Sequence, residues 1–227
     1  MRLSFDFSVR DATKVFFGLI FLDLCLVSIF AAAILLGSPS WRILFNLDRE
    51  GNIPAWFSSV QLFLTGMIVL LRSREIDPGH SPSRLFFLAV GTGFIFLSAD
   101  EAASIHETIG RALIHVEWMP RFKGGHGIWI FVYALIGLIL LLACFRRLAA
   151  IWNRYRHATS IMAMGLGFAL LGAVGLEAIS YQFLRSGSTP LLYLVEVALE
   201  EFLEMSGASI MLYGALLLLL EDSRAEN

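Results

Sequence analysis

Four ionisable residues, Asp100, Glu101, His106 and Glu107, lie within FIFLSADEAASIHETIG, residues 94–110, at the end of an apolar run. A second group, Glu196, Glu200, Glu201 and Glu204, lies in EVALEEFLE, and Glu177 lies in GLEAISY. Carboxylates combined with an imidazole can move protons as general acids and bases. The same donor set suits a divalent iron, manganese or zinc ion, whereas oxygen ligands alone suit calcium or magnesium. Their setting makes them unusual. A carboxylate at the centre of a bilayer costs roughly 2.5–3.5 kcal/mol, so it persists only if paired, protonated or bound to a cation.

The setting follows from composition. The chain has 227 residues, 57% of them hydrophobic and 16% charged, with a mean hydropathy of +0.73. Apolar runs recur along its whole length, which predicts an all-α polytopic membrane protein. Six spans are expected, near 15–36, 54–71, 85–115, 127–145, 160–182 and 190–220, forming one integral membrane domain over 1–227. GSPS at 37–40, DPGHSPS at 77–83, KGG at 123–125 and RSGSTP at 185–190 punctuate them. The first apolar run is too long for a cleaved signal peptide and reads as a retained helix. A net charge of −2 gives no reason to expect nucleic acid as a partner. Cys25 and Cys144 lie in apolar runs and read as small buried hydrophobes.

Orientation follows from Lys and Arg. The side holding both termini carries eleven and the opposite side six, which predicts cytoplasmic termini. The acids of the third, fifth and sixth spans then fall at one depth, in the outer half. Along the sixth span Glu196, Glu200 and Glu204 form one stripe. In an unbroken third span Asp100, Ser104 and Glu107 share a face, flanked by Glu101 and His106. Eight acids and one imidazole meet no Lys or Arg at that depth, because Arg111 and Arg185 lie further out. Left uncompensated, eight carboxylates would cost on the order of 20 kcal/mol, more than the whole stability of most proteins. The expected metal ligands are Asp100, Glu101, His106, Glu107, Glu177, Glu196, Glu200 and Glu204. Glu101, His106 and Glu204 are the expected catalytic groups.

Other polar residues are read more plainly. Asp48, Glu50 and Asn52 in NLDREGN could cap the site or hold calcium, and otherwise form a polar turn before Pro54. His126 is a further candidate ligand or a solvated loop residue. Asp23, Ser58, Ser59, Gln61 and Thr65 outline a polar track, or else make separate interhelical hydrogen bonds. Gly165, Gly167, Gly172 and Gly175 read as close helix packing.

Three segments, NLDREGNIPAWFSS, LSADEAASIHE and LEEFLEMSGA, resemble a group of uncharacterised bacterial multi-pass membrane proteins. That resemblance implies that the segments belong together and brings no activity. Helical bundles do hold paired iron or manganese between Glu and His of facing helices, although the usual Glu-x-x-His spacing is absent here. The sequence therefore predicts a carboxylate-rich, metal-binding membrane protein, read first as a metal-dependent enzyme on a lipid-like substrate, with a lipid-like or small-molecule ligand as partner. The alternatives are a proton- or cation-coupled transporter and a non-catalytic component of a membrane complex.

Overall fold

A computed structural model describes residues 7–75, 81–184 and 189–222. The turns read at 77–80 and 185–188, and the charges of Arg2, Arg185 and Arg224, lie outside them. The described residues are helical throughout their regular structure: α1 Val9–Leu35, α2 Pro39–Leu44, α3 Ile53–Glu75, α4 Ser81–Ala103, α5 Ile105–Leu113, α6 Ile128–Arg154, α7 Arg156–Leu170, α8 Glu177–Ile179 and α9 Pro190–Asp222, with a short 3₁₀ turn at Lys123–Gly125. π-helical stretches, Leu171–Leu176 and Ser180–Leu184, flank α8. Six helical segments are long and apolar enough to cross a membrane.

The starts of these helices follow local rules. Ser8 and Asp11 form a reciprocal capping box on α1. Pro39 opens α2, where its missing N–H costs nothing. The Asn52 side chain accepts from the Ala55 N–H at 3.2 Å at the start of α3.

α9 is the central helix, with 67% of its apolar window buried against 11% for α6, which stands at the periphery. α9 packs against α7, α1 and α3, and α3 packs against α4. Glycines set these approaches. A Cβ on Gly207 would lie 2.6 Å from the Ala169 nitrogen, and one on Gly165 would lie 2.7 Å from the Gly207 carbonyl oxygen.

One end of the bundle gathers both termini, with Thr13 beside Tyr213 and Arg72 donating to the Tyr155 hydroxyl at 2.7 Å. Val69, Phe86, Phe87, Ile151, Tyr155, Leu217 and Leu218 form an apolar core there. The opposite end carries α2, α5 and the loops before α3 and α6.

The third span departs from expectation. It is not one helix over 85–115, because α4 stops at Ala103 and Ser104 adopts a left-handed conformation, φ 51° and ψ 44°. Ser104 alone among the described non-glycine residues has positive φ. No Pro or Gly causes this break. The Asp100 Oδ1 accepts from the His106 N–H at 2.7 Å, satisfying an amide that a continuous helix would have paired with a backbone carbonyl.

Candidate functional site

The break at Ser104 turns α5 so that His106 faces back toward α4 and the loop before α3. Its Nδ1 lies 3.3 Å from Asp100 Oδ2, and its Nε2 lies 3.4 Å from Glu50 Oε1. The ring also packs on Trp129 at 4.7 Å between centroids, and Trp129 meets Tyr133 edge-on at 5.6 Å. Ser104 thus stands between the helix that carries Asp100 and the helix that carries His106. Left-handed serine costs on the order of 1 kcal/mol, and such strain gathers at functional sites.

The electrostatics follow from this geometry. Burial opposes protonation of His106. The hydrogen bond and charge of Asp100, with the charges of Glu50 and Glu177, outweigh it and push His106 up to about 9. At neutral pH the ring is an imidazolium with a donor facing each carboxylate. Burial raises Glu50 above the usual carboxylate range, against the hydrogen bond from Ser104 and the charge of His106.

Behind this sandwich stand the membrane acids. Glu201 is within range of the charges of Glu101, Glu200, Glu177 and Glu50, and Glu204 of those of Glu201, Glu101, Glu177 and Glu50. Four parts of the chain thus contribute: the first loop, α4, α8 and α9. Among the described residues, no Lys or Arg forms an ion pair with Glu101, Glu200, Glu201 or Glu204. The two π-helical stretches that flank α8 pack against α9. Gly172 makes this possible, since a Cβ there would lie 2.7 Å from the Glu200 carbonyl oxygen and 2.8 Å from Glu204 Cγ.

The expected ligands do not all share one role. Asp100 and His106 are in direct contact. Glu177 accepts a short hydrogen bond from the Tyr181 hydroxyl, and Tyr181 stacks on His126 at 5.1 Å. Glu196 accepts from Ser180 at 3.1 Å. Glu107 sits apart. The break at Ser104 rotates it off the Asp100 face, and its exposed side chain pairs with Arg111 at 2.8 Å. Among the described residues, no group of three or more His, Cys, Asp or Glu side chains is arranged to hold a metal ion.

Glu50, read from the sequence with Asp48 and Asn52 as a cap on the site, a calcium ligand or part of a polar turn, lies against His106. Its only local signal was the polar turn, which the structure also displays: Asn52 donates to the Asn46 and Arg49 carbonyls, and Asp48 accepts from the Tyr193 hydroxyl at 2.6 Å. That last bond ties the loop to α9 and so holds Glu50 over His106.

A family model described as a domain of unknown function (DUF8692) matches residues 11–220. No curated protein and no solved structure matches the chain.

Proposed function

We propose, for a chain that belongs to the DUF8692 family, an acid–base site open to one side of a membrane and acting on a lipid-like substrate. His106 is the proton-transferring group at Nε2. Asp100 orients the ring through Nδ1, and Glu50 exchanges the proton with it. Glu101 and Glu204 supply the buried acids behind His106, while Glu177, Glu196 and Glu200 set the local charge. The observation that carries this reading is His106 held between two carboxylates, at 3.3 and 3.4 Å, next to a strained backbone.

Two further observations support it. Leu171, Ile179, Phe183, Leu191, Leu192 and Val195 are exposed apolar side chains around Glu177 and Glu196. They suit lateral entry of a molecule dissolved in the bilayer. The apolar core at the terminal end closes the far side of the bundle, which favours a one-sided site over a path for transport. The excess of Lys and Arg on the side of the termini supports a bacterial inner-membrane protein whose site faces away from the cytoplasm.

The acids without a Lys or Arg partner are neutralised by protons or by a divalent ion such as iron, manganese or zinc. The test is to incubate the purified chain in vesicles of bacterial lipid extract and follow the lipids by mass spectrometry, with elemental analysis of the same sample. Lipid turnover that His106→Gln abolishes is the expected result. Unaltered lipids together with proton flux that depends on His106 would replace this reading with the transport one.

A further inference from the structure

Below the acids, at the middle of the bundle, lies a second polar centre that the acid–base reading does not use. Asp23 of α1 is fully buried, as is Ser209 of α9, and Gln61 of α3 is 1% exposed. Gln61 Nε2 donates to Ser209 Oγ at 2.9 Å, and Ser209 Oγ donates to Asp23 Oδ2 at 2.8 Å. Thr65, fully buried one turn along α3, directs its hydroxyl proton to the Gln61 backbone carbonyl at 2.9 Å. The Ser209 and Thr65 hydroxyl protons are thereby committed. Two acceptors remain without a partner, Asp23 Oδ1 and Gln61 Oε1.

A buried centre whose remaining lone pairs are all oxygen acceptors selects a hard cation and rejects an anion. Its single carboxylate selects charge. A monovalent ion neutralises Asp23, whereas a divalent ion would leave a net positive charge in the apolar interior. We propose that Asp23, Gln61 and Ser209 form a binding site for a dehydrated monovalent metal cation of sodium size, joining α1, α3 and α9. The site is independent of the acid–base reading.

The full chain in lipid nanodiscs provides the test. Thermal unfolding is measured in NaCl, KCl and choline chloride at equal ionic strength, and bound ²²Na⁺ is counted. The expected result is a saturable rise of Tm with Na⁺ and about one ion per chain, both lost in Asp23→Asn and retained in Glu204→Gln. Ser209→Ala, which keeps the carboxylate, is expected to weaken Na⁺ affinity at least tenfold, so the test stands even if Asp23→Asn does not fold. The proposal is overturned by a Tm that responds alike to all three salts, by a Na⁺ response that persists in Asp23→Asn, by Na⁺ affinity unchanged in Ser209→Ala, or by a response that Glu204→Gln removes. It is overturned equally if only pH, and no metal cation, alters Tm through Asp23, since the centre would then hold a proton.

Discussion

The charge state of His106 gives a pH dependence whose sign and size both follow from the geometry. A histidine raised from 6.5 to about 9 stabilises the folded chain by about 3 kcal/mol, at roughly 1.4 kcal/mol per pH unit. Because the folded value is the higher one, this stabilisation is complete below pH 6.5 and is lost as pH rises through about 9. The side chain is 18% exposed, so solvent screening removes little of it. At roughly 2–4 °C per kcal/mol for a chain of this size, Tm should fall by about 6–12 °C across the alkaline step. Asp100→Asn keeps an oxygen to cap the His106 N–H but removes the charge beside Nδ1. In that variant the step should shrink and move toward pH 6.5. The assay is thermal unfolding in nanodiscs from pH 6 to 10, paired with an NMR titration of labelled histidine. A His106 midpoint at or below the ordinary histidine value in the unmodified chain would refute the sandwich.

Three other outcomes follow. Gly172→Ala should cost about 1–3 kcal/mol from overpacking against α9, whereas Gly137→Ala, whose Cβ would meet nothing within 4 Å, should not lower Tm. Ser104→Val forces a β-branched residue into the left-handed region, so it should destabilise by about 1–3 kcal/mol and, by disturbing the break that holds His106 against Asp100, also lower the His106 midpoint in the same titration. Glu107→Gln removes only an exposed pair with Arg111, worth about 0.5 kcal/mol or less; its rate of lipid turnover should match the unmodified chain, and a large loss would return Glu107 to the site.

The six spans were legible because helices in lipid must satisfy their own backbone and so declare themselves by length and hydropathy. The depth of Asp100, Glu177 and Glu200 was legible for a similar reason, since position along a span fixes height. Rotation about the helix axis was less so. Glu107 was placed beside Asp100 by assuming an unbroken helix, whereas the break at Ser104 goes with a side-chain bond, the Asp100 carboxyl accepting from the His106 N–H, that helical periodicity does not announce. Glu50 itself sits in a polar turn of ordinary composition. The bond from Tyr193 to Asp48 and the burial of Leu47 in one cluster with Val197 and Met205, residues far apart in sequence, tie the turn to α9. The π-helical stretches beside Glu177 arise from packing against α9 and have no signal beyond the glycines. Asp23 and Gln61 were visible as polar residues in apolar helices, but their common partner Ser209 emerges only once α9 lies between α1 and α3.

The central claim is that His106 and the buried acids of α4 and α9 act as one unit. It is tested most directly by lipid turnover in vesicles for His106→Gln, Glu204→Gln and the double variant. Groups that work together lose function non-additively, so the double variant should be no slower than the slower single one. Losses that multiply would mean that His106 and Glu204 serve separate centres.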